Sequence, residues 1–250
     1  MRMNMPERPK AKIIGSYIDL LDMNGVMEKI KTMIRDPGTQ QIVTLNAEIA
    51  YLAQQDQLLQ AIINSAGLVT PDGIGIVWAA RLLGYEISNR VTGIELAYRV
   101  SEEAAKQGWK LFLLGAAPGI AKQAAYTLQQ IYPGLQIVGS DHGYHNAQDM
   151  SAVIENINKL QPDILLVALG APRQEFWIYE HKKDLEVRVC IGVGGSLDVI
   201  AGEKKRAPEC FIKLNLEWMY RLLSEPNRIK RQICLPLFVG QVLKSKYLSR

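Results

Sequence analysis

The sequence predicts an open, doubly wound α/β sheet, Rossmann-like and mostly parallel, with a helical C-terminal appendage. Three observations carry that expectation: six short apolar runs rich in Val, Ile and Leu, segments of helical period between them, and a final fifty residues of different charge and pattern. The runs are apolar on consecutive residues, as strands covered by helices on both faces are. Strand and helix alternate, which places crossover helices over a parallel sheet. With 250 residues, 48% hydrophobic and 22% charged, the chain can bury one sizeable core. That composition excludes disordered, collagen-like and disulfide-scaffold classes.

In chain order the candidate strands are QIVTLN (41–46), GLVTP (67–71), WKLFLLG (109–115), LQIVGS (135–140), DILLVALG (163–170) and VRVCIGVGG (187–195). Ile120, Ala124, Ala125, Leu128 and Ile131 mark a helix begun at Pro118, and Val153, Ile154, Ile157 and Leu160 mark another. From Pro208 onward, Phe211, Ile212, Trp218, Met219, Leu222 and Leu223 fall on one helical stripe, which Ser224-Glu225-Pro226 ends. A second, basic helix carrying Arg228, Lys230 and Arg231 is expected to end near the LPLF of 235–238. The division this suggests is an α/β domain over 1–204 and a basic helical appendage over 205–250.

The net charge of +4 hides an asymmetry. Residues 201–250 hold 11 of the 29 Lys+Arg but 4 of the 25 Asp+Glu, a net of +7, while the first 200 residues carry −3. Positive charge concentrated in a tail points to an anionic partner. Apolar Ile229, Ile233, Leu237 and Val242 among those charges favour an anionic membrane surface over a plain solvated helix. The tail's aromatics, Phe211, Trp218, Tyr220, Phe238 and Tyr247, suit packing or a membrane boundary better than base stacking, so no nucleic acid is expected. Cys190, Cys210 and Cys234 form no CxxC pair, which argues against a disulfide framework or zinc cluster and for a reducing, cytoplasmic compartment. Neither an export signal behind MRMNMPERPKAK nor a run of about 18 apolar residues is present to suggest secretion or a membrane span.

Open α/β sheets bind ligands outside the carboxyl ends of their strands, so the residues just after each run are the ones to read. Asp72, between Pro71 and Gly73, either caps a helix over 74–83 or acts as a general base. The loops GAAPG (115–119) and GVGG (192–195) let backbone N–H groups approach phosphate, although tight strand-to-helix turns need glycine with no ligand present. Neither loop matches a dinucleotide or P-loop fingerprint, which disfavours a nucleotide-dependent oxidoreductase. In GAPRQE (170–175), Pro172 is expected at the first helical position with Gln174 and Glu175 in the first turn. Helix-start chemistry explains Pro and Glu there but not Gln174. Asp141-His142-Gly143-Tyr144-His145 offers two histidines without a clear third ligand and reads as a solvated turn; His181 reads as a surface residue.

Taken together, TLNAE (44–48), TPDGIGIVW (70–78), RVTG (90–93), GAAPG, PDILLVALGAPRQEFW (162–177), GVGGSLDVIAG (192–202) and KRAPECFIKLNLEWMYRLLSEPNRIKRQ (205–232) resemble the WecG/TagA/CpsF glycosyltransferases. The motifs run in order from about residue 12 to the C-terminus and are most similar to the TagA-type branch, the N-acetylmannosaminyltransferases of teichoic acid linkage-unit synthesis. The resemblance implies inverting transfer of N-acetylmannosamine from its UDP sugar to the 4-hydroxyl of N-acetylglucosamine on undecaprenyl diphosphate, with no metal or other cofactor. It implies Asp72 as the base, with Thr44, Asn46, Arg90 and Gln174 lining the same pocket. Asp198 with Gly194 and Gly195, together with Gly115, Gly119 and Gly170, would hold the nucleotide. Arg221, Arg228 and Arg231 of the appendage would close over the diphosphate at the inner face of the cell membrane. One departure is Leu45, where relatives often carry proline. Relatives using mannosaminuronic acid or glucose donors share these motifs, and a homo-oligomer is left open.

Overall fold

The computed structural model describes residues 9–214, 216–224 and 233–248. Its centre is a six-stranded, all-parallel sheet built from the six apolar runs: β3 (Gln40–Leu45), β4 (Leu68–Pro71), β5 (Lys110–Gly115), β6 (Gln136–Asp141), β7 (Ile164–Ala168) and β8 (Val189–Gly192), in the order β4-β3-β8-β7-β5-β6. Ahead of it lies a hairpin absent from the sequence expectation, β1 (Lys10–Ile13) and β2 (Ser16–Asp19). Ile14 and Gly15 both take positive φ there, 39° and 93°, as a two-residue hairpin turn requires. The Ile-Gly pair lacks the Asn-Gly signal that would have revealed it. Asp19 Oδ2 accepts from Val69 N at 2.8 Å and so ties the hairpin to the edge strand β4.

Alternate side chains of each strand enter different cores, which is the physical content of double winding. Leu111, Leu113, Ile164, Leu166, Val189 and Ile191 pack with α1 (Met23–Arg35), α5 (Gly93–Gln107), α6 (Ile120–Ile131) and α9 (Ser196–Ile200) on one face. On the other, Val43, Leu45 and Val69 meet α2 (Ala47–Gln55), α3 (Gln57–Ser65) and α4 (Ile74–Leu82). Phe112, Leu114, Leu165 and Val167 meet α7 (Ala147–Leu160) and α8 (Arg173–His181) on that same side. Ile131, expected on the buried stripe of α6, is exposed, because the helix ends there.

The C-terminal part departs from the sequence pattern in two ways. The stripe from Phe211 to Leu223 is not one helix but two, α10 (Glu209–Lys213) and α11 (Glu217–Ser224). Leu216 N donates to Phe211 O at 2.8 Å across the break, and the Phe211 and Tyr220 rings meet at 5.5 Å. The phase is therefore reset between the two, and Leu214, Trp218 and Leu223 are exposed. Secondly, a helix that the sequence pattern did not suggest begins at LPLF, α12 (Cys234–Leu248), where Pro236 falls in the first turn and its missing N–H costs nothing. The basic stretch with Arg228 and Arg231 lies outside the described residues. Phe238 and Val242 of α12 are fully buried in the same core as Leu45, Ala47 and Ile76, so this helix is seated on α2 and α4.

Candidate active site

Because all six strands run the same way, every loop singled out in the sequence emerges at one edge of the sheet. Gly93, the first residue of α5, joins the parts around the carboxyl ends of β3, β4 and β8. Its N–H donates to Asp72 Oδ2 at 3.3 Å, and a Cβ placed on it would stand 3.4 Å from Thr44 Oγ1 and from Val193 Cα and O. Asp72 N in turn donates to Leu45 O at 2.8 Å, and Val91 N to Pro71 O at 2.8 Å, so the segment before α5 continues the edge of β4. This corrects the capping alternative for Asp72. The residue at the start of α4 is Gly73, no side chain caps that helix, and the Asp72 carboxylate instead turns to the first turn of α5. The Asp72 side chain is half-exposed at this edge.

Three residues expected to line the pocket spend their hydrogen bonds on the protein. Thr44 Oγ1 donates to Gly192 O at 2.8 Å, and Asn46 caps α2 by accepting from Ile49 N at 2.9 Å. Gln174 is 1% exposed, with Oε1 accepting from Gly194 N at 3.0 Å and Nε2 donating to Glu175 Oε1 at 2.8 Å. Thr44 and Gln174 thus anchor the loop after β8 from two sides. Arg90, just ahead of α5, faces Glu217 of α11 at 3.9 Å, both side chains mostly buried, so the appendage touches the site here. Arg206 Nη2 bonds Glu95 of α5 at 2.9 Å and fixes the appendage's beginning.

The glycines separate into two kinds. A Cβ at Gly115 would fall 2.4 Å from the backbone of Ala168, so β7 itself dictates that glycine. Gly119, Gly170 and Gly194 have positive φ and open space around the missing side chain, leaving room for a ligand's close approach. Gly195 has ordinary backbone, with Asp198 of α9 half-exposed beside it. The helices that leave these loops, α4, α6, α8 and α9, have no side-chain N-cap, whereas Asp22, Asn46, Asp56, Thr92 and Asn146 cap α1, α2, α3, α5 and α7. Uncapped N–H groups at the ends of α4 and α6 are suited to an anion.

Several residues important to this edge were not picked out from sequence. Glu175, which the sequence suggests as an ordinary helix-start acid, is buried beside Gln174, and Pro172 takes the N-cap position rather than the first helical one. Burial pushes the Glu175 carboxyl up from 4.5 to about 7, opposed by the Gln174 hydrogen bond. Arg173 donates to Gly143 O at 2.9 Å, next to the GAAPG loop, where Gly143 N also bonds Ala116 O. The 141–145 loop is consequently half-buried against the site rather than a solvated turn. His142 and His145 stack at 4.0 Å, His145 Nε2 meets Asp141 Oδ1 at 2.9 Å, and Tyr144 N donates to His142 Nδ1; Asp141 supplies the third ligand that the sequence reading lacked, so the three groups, within 4.8 Å of one another, could hold a metal. His181 is partly covered by Trp177. Arg221 belongs to α11; Arg228 and Arg231 lie outside the described residues.

The start of α12 borders the same site. A Cβ at Gly75 of α4 would meet Ala47 at 3.1 Å and the Phe238 ring at 4.0 Å, and the Cys234 thiol is raised by burial and then by the charge of Glu48. A separate hollow of about 530 Å³ lies at the opposite edge, among Thr39, Lys110, Asp163, Glu186 and Arg188. It is bounded by the starts of strands, the end of a parallel sheet at which ligands are not expected. No described helix is long and apolar enough to cross a membrane.

Residues 11–250 match the family described as the glycosyl transferase WecG/TagA/CpsF family. The N-acetylglucosaminyldiphosphoundecaprenol N-acetyl-beta-D-mannosaminyltransferase of Staphylococcus aureus strain MRSA252 is 39% identical over 239 residues, which is 95% of this chain and 93% of that protein. The enzymes of the same name from strains MW2 and NCTC 8325 / PS 47 are equally similar over the same lengths.

Proposed function

As the chain belongs to the WecG/TagA/CpsF family of glycosyl transferases, we propose that it transfers N-acetylmannosamine from UDP-N-acetylmannosamine to the 4-hydroxyl of N-acetylglucosamine carried on undecaprenyl diphosphate. The observation that carries this reading is the 39% identity spread over 95% of the chain to enzymes bearing that acceptor and sugar in their name. The geometry supports it in detail, since the candidate base, the glycine loops and the uncapped helix starts share one edge.

The acceptor hydroxyl oxygen attacks the anomeric carbon of the donor as the bond from that carbon to the UDP oxygen breaks, inverting the configuration. The hydroxyl proton passes to the Asp72 carboxylate, and UDP departs with the electron pair. Gly93 N–H holds Asp72 in register for that transfer. Charge on the leaving diphosphate is met by N–H groups at the start of α6 and by cations, Arg173 beside GAAPG and the appendage arginines Arg221, Arg228 and Arg231. No metal has a part in these steps. The apolar side chains left exposed on α11 and α12, Trp218, Leu223, Leu237 and Leu243, suit a lipid interface where the acceptor resides.

The test offers the full chain a panel of UDP sugars with a short-chain lipid diphosphate bearing N-acetylglucosamine, and follows UDP release. Turnover with the N-acetylmannosamine donor is expected; turnover with only the mannosaminuronic acid or glucose donor overturns the assignment. Asp72→Asn is expected to fold and bind UDP while losing about 10²–10⁴ in turnover, the usual contribution of a general base. Unchanged turnover removes Asp72 from the mechanism.

A further inference from the structure

One buried acid at this edge has no part in the steps above. Glu175 is 1% exposed, its Oε1 accepts from Gln174 Nε2, and its Oε2 has no hydrogen-bond partner. An unpartnered carboxyl oxygen in a dry interior is costly, and such a group invites a reason for being there. The reason lies in the symmetry of its neighbour. A primary amide can present either its oxygen or its NH₂ to a given point. Gly194 N–H needs the oxygen, which stands 3.0 Å away. An ionised carboxylate at the other end of the amide accepts only from the NH₂, so it permits a single orientation. A protonated acid can also donate, and then the reversed amide is tolerated.

The surroundings leave little room for other arrangements. A Cβ at Gly192 would stand 2.6 Å from Gln174 Nε2 and 3.2 Å from Glu175 Oε1, so both side chains press on the end of β8. Gln41 of β3 donates to the Glu175 backbone carbonyl at 3.2 Å. Of the elements packed on α8, neither β3 nor α3 bears a titratable side chain, and β8 bears only Cys190, whose thiol burial keeps protonated. On α8 itself, Arg173 turns to Gly143 O, Tyr179 is exposed beside Lys182, Glu180 is exposed, and His181 pairs with Asp184 at 4.0 Å.

We propose that Glu175 is a positioning residue: its carboxylate holds the Gln174 amide in the orientation that receives Gly194 N–H, and thereby keeps the glycine loop after β8 in the shape that takes the nucleotide. This rests on the reading that the loop belongs to the UDP site. The acid acts through Gln174 and touches no substrate.

The experiment compares the full chain with Glu175→Gln, which preserves volume but makes the acceptor as ambiguous as a protonated acid. UDP affinity is measured by calorimetry from pH 6 to pH 8.5, and the ratio of the two affinities is taken at each pH so that the nucleotide's own ionisation cancels. The ratio is expected to stay near one at pH 6 and to reach about tenfold in favour of the parent at pH 8, the size of one charge-assisted hydrogen bond. A ratio that is constant with pH overturns the proposal. If neither protein binds UDP, the nucleotide reading of the loop falls. Hydrogen exchange at the Gly194 amide then decides the role of Glu175: slower exchange in the parent than in Glu175→Gln at pH 8 upholds it, and equal exchange removes it.

Discussion

At the carboxyl ends of β3, β4 and β8, Thr44, Asp72 and Gln174 each bond the backbone of a neighbouring segment, and two of the three are buried. The C-terminal part reaches the same place but is secured differently, by the apolar plug of Phe238 and Val242, by the mostly buried Arg90–Glu217 pair and by the partly exposed Arg206–Glu95 pair. Buried hydrogen bonds are expensive to break because each leaves a dry polar group behind, whereas partly exposed ion pairs contribute about 1 kcal/mol or less. The edge is therefore fixed as the core folds. Of the two pairs only Arg206–Glu95 is exposed enough to be that weak, so the beginning of the appendage is its loosest tie to the sheet edge.

The contrast is broken most severely at α12. Phe238→Ala is expected to cost about 3–5 kcal/mol of unfolding free energy, as other large buried aromatics do, and to expose 233–248 to protease. A loss near 1 kcal/mol in chemical denaturation would mean that something other than the apolar plug seats the helix.

Next in size is the acid buried at the edge. Glu175 has a folded pKa of about 7 against 4.5 ordinarily, so the native state binds its proton more tightly than the unfolded chain. Stability is then full below about pH 4.5, declines as pH rises towards 7 and stays lower above it. Glu175→Gln removes that decline, so the stability gap between variant and parent should move in the variant's favour by roughly 3 kcal/mol between pH 4.5 and pH 8. Urea titrations across that range check it, and a gap independent of pH would show that the carboxyl ionises without penalty.

A smaller effect is expected at Thr44→Val, which keeps the shape but leaves Gly192 O without its donor. About 1–2 kcal/mol should be lost, with UDP affinity falling more than the melting temperature would suggest if the loop after β8 is what the hydroxyl holds. Least of all, Glu95→Gln should change stability by under about 1 kcal/mol, and the difference should vanish in high salt. A salt-independent loss of several kcal/mol would make the two regions energetically alike and collapse the distinction.

Much of this was legible beforehand. Six apolar runs gave six strands because a strand covered on both faces must be apolar throughout, and the candidate site residues stood after those runs because parallel strands share one carboxyl edge. Asp72 and the GAAPG and GVGG loops pointed to a candidate site for the same reason, whereas Arg90 entered only through the family resemblance. The hairpin at 10–19 escaped notice because its strands are four residues each and its turn is Ile-Gly. The break between α10 and α11 escaped because a helical stripe can be drawn through a reset of phase. Glu175 was passed over since Glu in a first turn is usually solvated, and its inward direction depends on how α8 leaves Pro172.

The order of elements, the sheet's direction and the site's edge follow from apolar periodicity and glycine placement, which are local properties written in the chain. Which polar groups ended up dry, which glycine faced a neighbouring strand and which faced open space, and that a helix from the far end plugs against Ala47 and Gly75, were decided only when distant segments packed. Burial is a property of that packing, and no residue carries it alone.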